Sequence, residues 1–289
     1  MDFKVLVLVL VIKVVTGHIA IDITVDENEK VNINYLGSEQ ELISDNDIKL
    51  FKVDRLHTAV QQHLGKKPKD VYLRSPTPWG DLYKTYGWQP VKRILSIKSA
   101  RVLHLNMKPV IVLSHDFENF SNRTVKVNTG MTQSVENTLT TSWTKEQEFT
   151  VSQEFEYEFN VGFSKAKGVT GFSFTNTWGV SEEKSKTQTI GSNSGMETEL
   201  QPGQAVTAVL SATAGFLEIE VIHKASLTGN LVVNYRKPYR GHHFWSPLIQ
   251  DVMKSGNMNN EVISTERIKF GFHVHAFLKT YDKKTGLPV

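Results

Sequence analysis

The sequence predicts a mostly β protein with a small α+β region at its N-terminus. From residue 110 to residue 235, Ser and Thr are frequent, proline is nearly absent and apolar residues recur at every second position. This pattern is typical of long, twisted antiparallel strands. Before residue 110, a helical pattern and a Pro/Gly-rich segment interrupt the chain. We therefore expect an α+β region at 18–109 and an elongated β region at 110–289.

The first 17 residues have the pattern of a secretory signal peptide. Lys4 supplies the positive charge, residues 5–12 are an unbroken apolar run, and small residues lead to a predicted cleavage after Gly17. The run is shorter than the ~20 residues that a spanning helix needs. The chain has no cysteine, and its formal net charge is +3. We expect a secreted protein that needs no disulfide at this length and, because we find no Lys/Arg cluster with interleaved aromatics, binds no nucleic acid.

Helical patterns occur at both ends of the chain. Residues 45–64 are predicted to form one amphipathic helix, capped by Asp45 or Asn46 and ended by Gly65. Its apolar face consists of Ile48, Phe51, Leu56, Val60 and Leu64. The turn residues of segment 75–88 are expected to break any regular element, and residues 93–105 fit either a strand or a helix. Residues 246–256 predict a short helix, and residues 268–278 a last strand.

The longest alternation lies in residues 154–180, which predict an amphipathic hairpin with its tip near 165–171. One row is apolar except for Asn176, and the other is polar or small. Each arm has about the 9–11 residues that a membrane-spanning strand needs. The expected membrane-facing residues are Phe155, Tyr157, Phe159, Val161, Phe163, Phe172, Phe174, Trp178 and Val180. The expected lumen-facing residues are Glu154, Glu156, Glu158, Ser173, Thr175 and Thr177.

A soluble sheet with one face on a core shows the same alternation, so this reading stays open. A single hairpin cannot span a bilayer, because its edge N–H and C=O groups would be unpaired in lipid. Several copies that close into a barrel remove the edges, so the membrane hypothesis requires a homo-oligomer. Before insertion we expect the hairpin to lie against the long sheet, since an exposed apolar face of this size would aggregate. Residues 144–153 are expected to extend the barrel above the membrane.

The flanks of the hairpin suggest a family. Strand Thr138-Leu139-Thr140-Thr141-Ser142-Trp143-Thr144 leads into it, and a Ser/Thr-rich return strand at 181–194 reaches Leu200-Gln201-Pro202-Gly203-Gln204. This arrangement resembles the aerolysin-like β-pore-forming proteins, in the branch of the clostridial epsilon toxin and the mosquitocidal toxins. The segment around Pro78-Trp79-Gly80 is similar to insect members, such as follicular yolk-type proteins and caterpillar venom toxins.

The resemblance implies an elongated fold, an N-terminal receptor-binding region and assembly of a ring that inserts the hairpin. It implies a membrane lipid or a glycan as receptor and a final location in the target cell membrane. The chain departs from the family at its C-terminus, where neither a propeptide nor a basic cleavage site is evident. A non-lytic storage or egg-matrix protein with the same fold is the alternative function.

Three further groups of residues are candidate sites. Trp79, Tyr83, Tyr86 and Trp88 either form a receptor surface for a sugar or lipid or pack a small domain. Asn119 and Asn122 start overlapping glycosylation sequons. His242, His243, His273 and His275 have the spacing of a loose metal site or of an exposed strand, and we predict neither a metal nor a cofactor. The sequence shows no catalytic motif, so we expect no enzyme activity.

Overall fold

The computed structural model describes residues 18–128, 131–144, 154–163, 169–178, 183–194 and 197–289. Its strands are β1 (Ile19–Val25), β2 (Val31–Leu36), β3 (Ser38–Leu42), β4 (Asp70–Tyr72), β5 (Lys92–Glu118), β6 (Val125–Asn128), β7 (Met131–Trp143), β8 (Glu154–Phe163), β9 (Val169–Thr177), β10 (Lys184–Ser194), β11 (Glu197–Leu200), β12 (Ala205–Thr228), β13 (Val232–Tyr239), β14 (His242–Trp245) and β15 (Val262–Asp282). Its helices are α1 (Asp45–Leu50), α2 (Leu56–Leu64), α3 (Pro78–Tyr86) and α4 (Ile249–Ser255).

The main sheet has six antiparallel strands in the order β10-β7-β15-β12-β5-β3. Strands β5, β12 and β15 have 27, 24 and 21 residues, several times the usual strand length. Along β12 nearly every second residue is buried, because one face of the sheet carries the core. The predicted class, mostly β with long antiparallel strands, is confirmed. Strand β5 passes through the expected boundary at residue 109, so that boundary falls within one continuous element.

A second sheet has the order β2-β1-β8-β9 and packs on the core face of the main sheet. Its centre is a parallel pair, β1 with β8, in which Ile19 lies beside Tyr157 and Val25 beside Phe163. Strands β8 and β9 form the predicted antiparallel hairpin. The first strand after the predicted cleavage site therefore covers one edge of this hairpin.

The third sheet, β14-β13-β4, joins helices α1 to α4 in a region that we call the head. Strands β13 and β14 and helix α4 belong to it although they follow β12, so the N-terminal region is completed by residues from the second half of the chain. The predicted C-terminal helix at 246–256 and last strand at 268–278 are confirmed by α4 and β15. No helix in the part of the chain described by the structure is long and apolar enough to cross a membrane.

Two local predictions in the head are wrong. The helix expected at 45–64 is broken, because Lys52 has the left-handed φ of 52° and a 3-10 turn separates α1 from α2. Its first cap is Ser44, whose hydroxyl accepts from the Asp47 N–H, whereas Gly65 ends α2 as predicted. Segment 75–88 does contain a short helix, α3, whose residues 79–81 nevertheless have positive φ.

Candidate functional site

The hairpin β8–β9 buries its entire described apolar row. The eight members are 0–6% exposed: Phe155, Tyr157, Phe159, Val161, Phe163, Phe172, Phe174 and Trp178. The row packs on β15, where the ring of Phe159 lies 5.9 Å from that of Phe270 and the ring of Phe163 lies 4.6 Å from that of Phe272. Val180 and the segment 145–153 lie outside the described residues, as do tip residues 164–168. The expectation that the hairpin lies against the long sheet is confirmed.

The opposite face of the hairpin is turned to solvent. Glu154, Glu156, Glu158, Ser173 and Thr175 are exposed, and Thr177 is half-buried. The two rows thus separate an acidic, hydrophilic face from one that is aromatic and aliphatic except for Asn176, because successive side chains of a strand point to opposite sides. That the polar row lines a pore stays a prediction.

A buried carboxylate on β15 binds the polar atoms of the hairpin. Glu266 is fully buried, and its Oε1 accepts hydrogen bonds from the Asn176 amide (2.7 Å) and the Tyr157 hydroxyl (3.2 Å). Its Oε2 lies 2.9 Å from Nε2 of His223, which is also buried. The Asn176 amide further contacts the Thr141 hydroxyl at 3.3 Å. Asn176, the polar interruption of the apolar row, is therefore satisfied in the folded protein.

Trp178 is a second polar anchor at the base of the hairpin. Its indole N–H donates a 2.7 Å hydrogen bond to the hydroxyl of Ser264, and the guanidinium of Arg93 lies 4.9 Å from the centre of its ring. Arg93 is itself buried and donates a 2.8 Å hydrogen bond to Oε2 of Glu41. The sequence analysis missed these partners. Ser264 and Glu266 continue the inward row of the last strand, so polar residues in a buried register are the signal that could have identified them.

Strand β1 closes one edge of the hairpin. The backbones of β1 and β8 pair over seven residues, and the side-chain amide of Asn160 donates a 2.9 Å hydrogen bond to Oδ1 of Asp22. At the other edge, Lys186 on β10 donates a 2.7 Å hydrogen bond to the backbone oxygen of Ser173 on β9. Lys184 on β10 likewise donates a 3.2 Å hydrogen bond to the hydroxyl of Thr177. One edge is thus held by a strand and the other by two lysine side chains.

The predicted receptor residues separate into two groups. Trp79 and Tyr86 are 50% and 56% exposed, and the rings of Tyr86 and Trp88 stack at 4.7 Å. Phe244, which the sequence analysis did not select, extends this surface, because its ring lies 5.2 Å from that of Trp79.

Tyr83 does not belong to the surface. It is 2% exposed, and its hydroxyl donates to the backbone oxygens of Tyr72 (2.9 Å) and Asn230 (3.0 Å). Burial raises the pKa of this hydroxyl, which keeps its proton for these bonds. The alternative reading, packing of a small domain, is the correct one for Tyr83.

The two sequon asparagines also differ. Asn119 is 4% exposed, and its Nδ2, the atom to which a glycan would be linked, donates to the backbone oxygens of Arg123 (2.8 Å) and Leu200 (2.9 Å). A glycan at Asn119 is incompatible with these contacts, so the prediction for that residue is wrong. Asn122 is exposed and stays a candidate.

The four histidines considered as metal ligands, His242, His243, His273 and His275, lie on exposed or half-buried positions. His273 and His275 do not continue one regular strand face, because His275 has a φ of 55° at an irregularity of β15. Across the described ranges, no group of three or more His, Asp or Glu side chains could hold a metal ion.

The fold and the hairpin define a class of protein: an elongated β protein that stores an amphipathic hairpin of membrane-spanning length against its own sheet. No protein-family model matches the chain. It is 36% identical over 287 residues to U-megalopygitoxin(8)-Mo12 of Megalopyge opercularis, covering 98% of this chain and 99% of the relative. It is 35% identical to U-megalopygitoxin(8)-Mc8 of Megalopyge crispata, covering 89% of each. The chain therefore belongs to the megalopygitoxin family of caterpillar venom toxins.

One solved structure supports the fold. A non-toxic crystal protein from Bacillus thuringiensis is similar with a TM-score of 0.50 at 10% identity, covering 86% of this chain and 99% of that one. The parasporin-2 toxin of the same bacterium gives a TM-score of 0.49 at 17% identity, covering 85% and 98%. The chain has the aerolysin-like fold that its sequence pattern resembles, and its family is not enzymatic. Membership in a venom-toxin family implies secretion.

Proposed function

We propose that this chain is a secreted pore-forming toxin that binds a cell surface, oligomerises and inserts hairpin β8–β9 from each subunit into a transmembrane β-barrel. One observation carries the proposal: a hairpin with arms of 10 and 9 residues buries a row that is apolar except for Asn176, while its other row is hydrophilic. In a barrel, the row that is now buried against the sheet would face lipid, and the hydrophilic row would face a water-filled lumen.

The neighbouring strands give the hairpin a way to extend. Strands β7 and β10 precede and follow it in the chain, and they pair with each other, with Thr141 opposite Lys184. The inward residues of β7, such as Leu139 and Trp143, have odd numbers, as does the apolar row of β8. A straightened β7–β8 strand would therefore keep both buried rows on one side, because the side-chain period of a strand is two. Between the two rows, Lys145, Gln147 and Gln153 make that side polar, which fits a position above the membrane.

The position of the polar members of the row fits a membrane interface. Tyr157, Asn176 and Trp178 lie about nine to twelve residues from the hairpin tip, which is the length of strand that crosses the hydrocarbon core. In the barrel these side chains would reach the headgroup region on the entry side, where Tyr and Trp are favoured. Asn176 would then be hydrated, not embedded at mid-depth.

Insertion requires an oligomer. Leaving the folded state exposes the β8 edge that β1 now covers, and in lipid its N–H and C=O groups need partners. Hairpins of adjacent subunits supply them only when the barrel closes. Membership in a toxin family supports this function over a storage role, although the crystal protein described as non-toxic shares the fold.

The test uses liposomes made from total lipid extracts of cultured cells. We expect the wild-type protein to release an entrapped dye and to form rings visible by negative-stain microscopy. Absence of both at saturating concentration, with intact folded protein, would instead favour the storage or egg-matrix alternative.

The orientation of the hairpin is tested separately. Because the chain has no cysteine, single variants Phe172→Cys and Ser173→Cys can each carry a fluorescent probe. Nitroxide-labelled lipids should quench the probe at position 172 and leave the matched control at 173 in a watery environment. Equal quenching at both positions would exclude a barrel with this face toward lipid.

A further inference from the structure

Two loops that are far apart in the sequence meet in the head and gather six cations. One is the loop that follows α2, and the other comprises the end of β13 and its turn to β14. The cations are Lys66, Lys67, Lys69, Arg236, Lys237 and Arg240. We call these six residues the basic surface; the exposed His242 and His243 border it. The sequence analysis missed this cluster, although Tyr235 and Tyr239 alternate with the cations of residues 236–240 in the sequence. The lysines that follow α2 join them only in the folded chain.

Specific hydrogen bonds fix the two loops to each other. The Tyr239 hydroxyl donates to the backbone oxygen of Leu64 at 2.7 Å, and the Tyr235 hydroxyl donates to the backbone oxygen of Lys66 at 3.1 Å. The backbone N–H of Lys69 donates to the oxygen of Asn234 at 2.8 Å. The proximity of the cations is therefore built into the fold.

The rings of Tyr235 and Tyr239 make cation–π contacts with two cations of the basic surface. The ammonium of Lys66 lies 5.3 Å from the ring centre of Tyr239 and 5.7 Å from that of Tyr235. The guanidinium of Arg240 lies 5.1 Å from the ring centre of Tyr239. These cation–π contacts hold side chains in place that would otherwise move apart.

The charges of the basic surface are largely uncompensated. Among the described residues, its only ion pair joins Lys69 to Asp70 at 3.7 Å, and that carboxylate also accepts a hydrogen bond from Asn234. All six cations except the half-buried Lys66 are exposed. Collecting like charges raises the local potential and attracts a polyanion.

We propose that the basic surface binds a sulfated polysaccharide. Its cations are spread over two segments of the chain, which suits a chain of repeated anionic groups better than a single small anion. Anionic phospholipids are concentrated in the cytoplasmic leaflet, which a secreted protein does not meet on arrival. Sulfated glycans present fixed negative charge outside the cell.

This inference deepens the proposed function, on which its biological role rests, by naming the class of cell-surface partner. The basic surface lies near the aromatic surface of the head. The ring of Phe244, on β14, contacts the exposed Trp79, and Phe244 pairs with Asn234 on β13, the strand that carries Arg236 and Lys237. The head would thus concentrate the toxin at the cell surface before the hairpin leaves its sheet.

The experiment measures binding of the folded, soluble protein to heparin by titration calorimetry, so it does not depend on pore formation. We expect binding that weakens as salt rises, through release of counterions. The triple variant Arg236→Gln, Lys237→Gln and Arg240→Gln should lose affinity by about tenfold or more. Chemically desulfated heparin should not compete.

The matched control removes three exposed cations near the other end of α2: Lys49→Gln, Lys52→Gln and Arg55→Gln. The control variant has the same net charge as the test variant. If heparin responded only to net charge, both variants would lose affinity equally, and this result would overturn the proposal. Preferential binding to phosphatidylserine vesicles over heparin would also overturn it. Dye release that persists while heparin binding is absent would reject this inference and leave the proposed function intact.

Discussion

The amide of Asn176 donates a 2.7 Å hydrogen bond to Oε1 of Glu266 and so joins the stored hairpin to the main sheet. The contact is buried on both sides, since Asn176 is 1% and Glu266 0% exposed. A buried polar pair of this kind fixes the register of a strand, because a shift by one residue would separate the two groups and leave the Asn176 amide buried without the carboxylate. It also keeps the hairpin releasable, since both groups are well hydrated once water reaches them.

Glu266 is the first target for mutation. Glu266→Leu leaves the Tyr157 hydroxyl, the Asn176 amide and the His223 ring without their carboxylate partner. We expect the free energy of unfolding in urea to fall by about 2–4 kcal/mol, since each unsatisfied buried donor costs about 1–3 kcal/mol. The exposed neighbour variant Arg267→Gln should change it by less than about 0.5 kcal/mol. Equal stability of the two variants would refute the anchoring role.

The acidic row makes a prediction about ion selectivity. In a closed barrel, Glu154, Glu156 and Glu158 from all subunits would form stacked carboxylate rings, and such rings favour cations. We expect reversal potentials in planar bilayers to show cation selectivity in the wild type and a clear reduction in the triple Glu→Gln variant. A wild-type channel that prefers anions would contradict the assignment of the two hairpin faces.

Two substitutions distinguish the exposed aromatic surface of the head from its buried aromatic core. Trp79→Ala removes a side chain that is half exposed, so we expect a folded protein with wild-type thermal stability and at least about tenfold weaker cell binding. Tyr83→Phe removes the buried hydroxyl that serves two backbone oxygens, so it should lower the free energy of unfolding by about 1–3 kcal/mol. Binding of this second variant, measured by flow cytometry below its melting range, should be normal. Unchanged cell binding by the Trp79→Ala variant would show that this surface does not bind the receptor.

The period-two pattern was a strong guide to the hairpin because it reflects a local property: the two faces of a strand. The burial of Phe155 to Phe163 on alternate positions, and the α4 and β15 elements, follow from such local patterns. Gly65 as the end of α2 is of the same kind, since its φ of 86° disfavours other residues.

Other features depend on contacts between distant parts of the chain. Tyr83 and Asn119 look exposed in a Pro/Gly-rich segment and a sequon, yet each is buried by partners about 80 or more residues away in the chain. The partnership of Glu266 with Asn176 likewise joins β15 to β9, and nothing in either segment specifies the other. The parallel pairing of β1 with β8 has no sequence signature, because it joins the first strand to the hairpin across more than 100 residues.

The central claim is that the hairpin must leave β1 and the main sheet to form a pore, and a reversible crosslink tests it most directly. Asp22 and Asn160 are direct neighbours in the β1–β8 pair, where adjacent strands are about 4.8 Å apart, within the range of a disulfide. The chain has no other cysteine to interfere, and Asp22→Ser with Asn160→Ser controls for loss of the native hydrogen bond.

The measurement is dye release by the Asp22→Cys, Asn160→Cys double variant before and after reduction. We predict no release from the oxidised protein, recovery to the level of the serine control after reduction, and unchanged cell binding in both states. Full release by the oxidised protein, with the crosslink verified by mass spectrometry, would contradict insertion of this hairpin.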